Sequence, residues 1–132
     1  MFEAIIPLRS KSRGLKNKNI LLFKKRVNLV NFTIKKLLDI KKINKIYVLT
    51  DSTFYKKKII NHKKIDTSYK RTRKLSTANS KIDDLIDDFL NFYNNEKQNT
   101  KFLLFQVTSP VLKKGEIIRS LKFIQSKKLN SL

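Results

Sequence analysis

Three short segments with continuous apolar centres, residues 2–7, 43–50 and 101–107, constrain this chain most. A strand wet on one side alternates apolar and polar residues, whereas a strand covered on both faces reads as an unbroken apolar run. Phe102-Leu103-Leu104-Phe105 at the centre of 101–107 predicts a third strand buried on both sides. Between the runs the apolar period changes to that of a helix. Val30, Ile34, Leu37 and Leu38 share one face of a predicted helix over 28–41. Ile82, Leu85, Ile86, Phe89, Leu90 and Tyr93 form the cleanest amphipathic helix, and Ile117, Ile118, Leu121 and Ile124 mark a last helix over 115–127. Asp51-Ser52 offers a cap for a lysine-rich helix over 53–62. Residues 63–79 read as a loop, with room for one short strand, anchored by Ile65, Tyr69 and Leu75.

The order strand, helix, strand, helix, helix, strand, helix predicts an α/β fold, an open, mostly parallel sheet with helices on both faces. Ligands of such sheets bind outside the carboxyl ends of the strands. The chain has two prolines and two glycines, Pro7, Gly14, Pro110 and Gly115, and all lie in or beside the loops that follow the first and third strands. The first loop, within residues 5–19, carries five cationic side chains, two hydroxyls and two amides. That composition suits a polyphosphate cradle at the carboxyl edge of a strand.

At 132 residues the chain is one domain at most, with 40% apolar content and nine phenylalanines to build a core. Without cysteine it has no disulfide or thiolate metal site. No apolar run approaches the roughly 20 residues of a membrane span, so a cytoplasmic protein with no membrane partner is expected. The net charge of +21 admits a basic nucleic-acid binder as an alternative function. However, the lysines are spread over every segment, and the joint excess of Lys, Asn and Ile has the look of AT-rich codon composition. No zinc pattern, aromatic RNA-binding signature or helix-turn-helix spacing supports the alternative.

Four motifs carry a family resemblance. Ile5-Ile6-Pro7-Leu8-Arg9-Ser10-Lys11-Ser12-Arg13-Gly14-Leu15-Lys16-Asn17-Lys18-Asn19-Ile20 resembles the I-I-P-A-R-S-G-S-K-G-L-P-N-K-N-I opening of the acylneuraminate cytidylyltransferases, or CMP-sialic acid synthetases. Val48-Leu49-Thr50-Asp51-Ser52 is similar to their V-S-T-D-S. Arg71 with Leu75-Ser76-Thr77 and Ser80-Lys81-Ile82-Asp83 resembles R-P-x-x-L-S-T-D-T-A-S-x-I-D, and Gln106-Val107-Thr108-Ser109-Pro110 resembles Q-P-T-S-P. The order and spacing of the four, from residue 5 to residue 110, make the match specific.

The resemblance implies a nucleotide-diphosphosugar transferase fold, Rossmann-like and truncated to its N-terminal nucleotide-binding half. It implies transfer of CMP from CTP to an acidic nonulosonic sugar such as N-acetylneuraminate, releasing pyrophosphate with magnesium assistance, for glycan or surface polysaccharide synthesis. Arg9 and Lys18 are the implied catalytic cations. Arg9, Ser12, Arg13, Gly14, Lys18, Asn19, Arg71 and Ser80 are the implied nucleotide contacts, and Gln106, Thr108 and Ser109 the implied base and sugar contacts. The family's metal carboxylates, much of its sugar pocket and its dimerisation arm belong to a second half that the match does not reach. The chain alone is therefore expected to bind CTP weakly and turn over little, as a fragment or as a non-catalytic partner of a full-length homologue.

Lys11 stands at the family's loop glycine, Lys16 at its proline, and Val111-Leu112 where it has Leu-Arg after the last motif. The aspartate of its D-T-A-S segment has no counterpart. Other residues admit structural readings. Ser80 and Asp83 fit a capping box, and Asp51 reads as a cap or a ribose-side contact. Asp83, Asp84, Asp87 and Asp88 read as a solvated face near a helix N-terminus rather than a metal cluster. His62, in a lysine run, is given no role.

Overall fold

The computed structural model describes residues 1–11, 16–23, 26–93, 100–109 and 111–127. The main sheet contains β1 (Phe2–Leu8), β4 (Ile43–Thr50), β5 (Ile65–Asp66) and β6 (Lys101–Leu104) in the order β5-β4-β1-β6, with every pairing parallel. A small antiparallel hairpin, β2 (Leu22–Phe23) with β3 (Val27–Asn28), follows the first loop. The helices are α1 (Leu29–Leu38), α2 (Thr53–Lys58), α3 (Ile82–Tyr93) and α4 (Lys114–Ser126), with a 3-10 turn at Lys74–Ser76.

The unbroken apolar character of β1 is explained by what covers it. Phe2, Ala4, Ile6 and Leu8 pack with Val30, Ile34 and Leu37 of α1, Tyr55 of α2 and Ile117, Leu121 and Ile124 of α4. Ile5 points the other way, with Tyr47 and Leu49 of β4 against Leu85 and Phe89 of α3. Helices therefore cover both faces. The α3 side is aromatic, with ring centroids of Tyr47 and Phe89 5.1 Å apart and those of Tyr93 and Phe102 5.6 Å apart. Glu3 is buried in β1, where one carboxylate oxygen accepts from the hydroxyls of Tyr47 and Tyr93, each at 3.0 Å. Such bonds offset part of the desolvation cost of a buried acid.

Several elements are shorter than their sequence patterns predict. Helix α1 covers Leu29–Leu38 rather than 28–41, because Asn28 is its N-cap, its side chain accepting from Asn31 N at 2.8 Å. Helix α2 stops at Lys58 instead of 62. There the buried Asn31 captures the chain, donating from Nδ2 to Lys58 O at 2.8 Å and accepting from Ile60 N at 3.0 Å. Ser52 caps α2 as expected, accepting from Tyr55 N at 3.2 Å. The pairing of β6 ends at Leu104, not Val107, and the strand is not buried on both sides. It lies at the sheet edge, and Leu104 is 46% exposed. The strand allowed for within 63–79 is β5, and a separate isolated bridge joins Thr50 and Lys70. No helix among the described residues is long and apolar enough to cross a membrane.

Candidate functional site

The topology brings the loops after β1 and β6 side by side. From β1 the chain steps to β4 and then β5 on one side, and afterwards returns to place β6 on the other side of β1. This reversal opens a crevice at the carboxyl ends of the two strands. A cleft of about 370 Å³ lies there, with apolar walls from Pro7, Ile82 and Val107.

Three of the four sequence motifs contribute polar groups to this cleft. Arg9, Lys18 and Asn19 come from the first, Arg71 and Ser80 from the third, and Gln106 and Thr108 from the fourth. Ser12, Arg13, Gly14 and Pro110 lie outside the described residues. Ser109 does not line the cleft. It borders a separate cavity between α1 and the β6–α4 connection, with Thr33 and Lys36, and Gln106 touches both spaces.

The two arginines are held by the backbone of a single loop. Arg71 donates from Nε and Nη2 to Leu75 O at 2.9 and 2.7 Å, and Arg9 Nη1 reaches Thr77 O at 3.4 Å. Burial lowers the Arg71 pKa and the nearby Arg9 cation adds to that, while Asp51 opposes both. An arginine stays charged under such pressure, so two guanidiniums are kept close with no carboxylate among the described residues that line the cleft. That field favours an anion.

Asn19 follows a turn in which Asn17, at a φ of 57°, accepts from Ile20 N and Leu21 N at 3.0 and 3.1 Å. The Asn19 carbonyl accepts from Val30 N at 3.1 Å, which ties the loop to the first turn of α1. The residue is 7% exposed, and its buried side-chain Oδ1 has no hydrogen-bond partner in the protein. A buried acceptor left without a donor is uncommon, and this one belongs to a residue on the wall of the cleft.

Ser80 does not form the predicted capping box. Helix α3 begins at Ile82, and the Ser80 hydroxyl turns back to lie 2.9 Å from Leu75 O and 2.8 Å from Thr77 O. It thereby closes the loop that holds the arginines. Asp51 is neither helix cap nor part of this cleft. Its carboxylate accepts from Ser10 N at 2.8 Å and Ser10 Oγ at 2.7 Å. The buried Tyr55 hydroxyl, 3.2 Å from Ser10 O and 3.0 Å from Asn17 Oδ1, braces the same loop. Sequence reasoning passed over Tyr55, which lies in a lysine-rich helix with no motif around it.

The described residues do not fit a magnesium site. Among the described residues no three acidic or imidazole groups converge. Asp51, which shares a cavity wall with Arg71, already accepts at both oxygens. No step is assigned to a metal here.

A cytidylyltransferase family model matches residues 3–128. The N-acylneuraminate cytidylyltransferase of Streptococcus agalactiae serotype V is 34% identical over 124 residues, and its serotype III counterpart is identical to the same degree. The match takes in 92% of this chain but 29% of each of these curated relatives. Among solved structures, a CMP:2-keto-3-deoxy-manno-octonic acid synthetase complexed with CTP superposes with a TM-score of 0.70 at 13% identity, covering 95% of this chain and 47% of the other. The 2-C-methyl-D-erythritol 4-phosphate cytidylyltransferase of Francisella tularensis gives 0.68 at 18% identity, covering 95% and 52%. These two likenesses establish the Rossmann-like nucleotidyltransferase fold, and the family match over nearly the whole chain establishes that it belongs to the cytidylyltransferase family.

Proposed function

We propose that this chain is the CTP-binding part of a cytidylyltransferase that transfers CMP to an acidic nonulosonic sugar. The observation that carries the reading is the meeting of Arg9, Lys18, Asn19, Arg71, Ser80, Gln106 and Thr108, drawn from three distant motifs, around one cationic cleft. The names of the curated relatives support an N-acylneuraminate as the acceptor. Arg9 and Lys18 neutralise phosphate oxygens, and Asn19 Oδ1 accepts from a donor on the nucleoside. Gln106 and Thr108 edge the side from which the sugar approaches.

In the proposed reaction the sugar's anomeric hydroxyl oxygen attacks the α-phosphorus of CTP. The bond from that phosphorus to the α,β-bridging oxygen breaks, its electron pair leaves on pyrophosphate, and the hydroxyl proton passes to a base. Positioning and charge neutralisation dominate catalysis of this kind. The described lining offers cations and amides but no carboxylate or imidazole to take the proton. The isolated chain is therefore expected to bind CTP and turn it over slowly or not at all.

A thermal-shift series tests the reading. CTP should raise the melting temperature more than ATP at equal concentration, and Arg9→Ala or Lys18→Ala should abolish the difference. Equal shifts with both nucleotides, unchanged by either substitution, would contradict it. Tight RNA or DNA binding that falls steeply with salt would instead favour a nucleic-acid binder.

A further inference from the structure

Among the described residues two buried side-chain atoms lack a hydrogen-bond partner, Asn19 Oδ1 and Thr33 Oγ1. Asn19 belongs to the cleft. Thr33, 5% exposed, lines the separate cavity of about 320 Å³ between α1 and the β6–α4 connection. We propose that this second cavity binds a small organic monocarboxylate with an aliphatic or aromatic body. The site is distinct from the cationic cleft, since Gln106 alone is common to the described linings of the two spaces.

The lining divides into a polar corner and an apolar wall. Thr33, Lys36 and Leu37 lie three and four residues apart on α1 and so share one helix face. Lys36 is the one cation among the described lining residues, and none of them is a carboxylate. Its Nζ donates to Leu112 O at 2.9 Å, which fixes the ammonium beside the cavity. Burial lowers the Lys36 pKa, and a carboxylate alongside would oppose that by favouring the charged form. The Thr33 hydroxyl carries one donor. Buried without a partner it costs free energy, and a carboxylate oxygen would take its proton as an acceptor. Opposite this corner stand the buried Leu37 and Ile117, Phe105, and the exposed Leu104 and Leu112. A water alone would serve the hydroxyl but gain nothing from that wall. The volume lies at the small end of the roughly 300–1,000 Å³ range of ligand pockets, which limits the body to one ring or a short branched chain.

Amide correlation spectra of the intact isotope-labelled chain test the proposal, with sodium isovalerate, benzoate and cyclohexanecarboxylate as probes at fixed ionic strength. Each acid is titrated beside its neutral amide. At least one carboxylate should give saturable shifts at Thr33, Lys36, Leu37, Leu104 and Gln106, with Arg9, Lys18 and Arg71 unmoved, and its amide should bind about tenfold more weakly. Lys36→Met keeps the apolar stem and should weaken that carboxylate about tenfold, while Thr33→Val keeps the volume and should weaken it about fivefold. The control Lys35→Met, on the exposed side of the same turn, should change nothing. Thr33→Val should not lower the melting temperature, because its hydroxyl has no protein partner to lose. Carboxylates that shift Arg9, Lys18 and Arg71 instead, that bind no better than their amides, or that give no saturable shift at all would overturn the site.

Discussion

The Asp51 carboxylate accepts both the backbone N–H and the hydroxyl of Ser10, at 2.8 and 2.7 Å. Ser10 opens the loop after β1, and Asp51 directly follows β4, so one side chain fixes the exits of two neighbouring strands relative to each other. The consequence is a loop that leaves the sheet at a set angle, with Arg9 turned toward Thr77. Hydrogen bonds to a charged group contribute about 1.5–3 kcal/mol each. Asp51→Ala should therefore destabilise the fold by about 2 kcal/mol in urea unfolding, and Ser10→Ala by about 1 kcal/mol. The double variant should cost less than the sum, because both changes remove one interaction. Strict additivity would show that the pair does not couple in solution.

Asn19 should behave in the opposite way. Its Oδ1 has no protein partner to lose, so Asn19→Ala should leave the melting temperature within about 2 °C of wild type. The same variant should bind CMP and CTP about tenfold more weakly, since an uncompensated acceptor in the cleft becomes useful only when a ligand donates to it. A calorimetric titration beside a melting curve separates the two effects.

Glu3 predicts a stability effect far from the site. One of its oxygens takes both the Tyr47 and Tyr93 hydroxyls. Burial first, and then the Tyr93 and Glu3 side chains beside it, push the Tyr47 hydroxyl well above its usual range, so it remains a donor at any working pH. Glu3→Ala leaves two hydroxyls without their acceptor and should cost about 3 kcal/mol, whereas Tyr93→Phe should cost about 1 kcal/mol. Urea midpoints for the two variants check the ranking.

Asp66 carries a pH dependence. Burial alone would raise its carboxyl, but the Ser68 hydroxyl and N–H, at 2.6 and 2.9 Å, and Lys45 Nζ, at 3.0 Å, outweigh that and hold it below 3.8. A carboxyl depressed in the folded state contributes stability above its unfolded pKa and loses it as pH falls through the folded value. The stability gap between wild type and Asp66→Asn should be level above about pH 5 and shrink below 3.8. A gap that widens toward acid would contradict the assignment.

Strands β1 and β4 and helix α3 were legible in the sequence because each has an unambiguous period and is covered as that period implies. The β2–β3 hairpin was not, since two-residue strands carry no period and its turn uses Arg26 at a φ of 61° rather than a glycine. The edge position of β6 was hidden for a different reason. An apolar run shows that a strand can be covered, not that its neighbours cover it, and Leu104 is half exposed. At the site, motif order located Arg9, Lys18, Asn19, Arg71, Ser80, Gln106 and Thr108 in one cleft. It did not separate Ser109, whose neighbour Gln106 faces two spaces.

The most direct test of the central claim is a titration of the isotope-labelled chain with CTP, followed residue by residue in amide correlation spectra. The account predicts saturable shifts concentrated at Arg9, Lys18, Asn19, Arg71, Ser80, Gln106 and Thr108, with ATP producing weaker shifts at the same positions. Shifts scattered over the lysines of α2 and α4, with no saturation and no preference for cytidine, would contradict it.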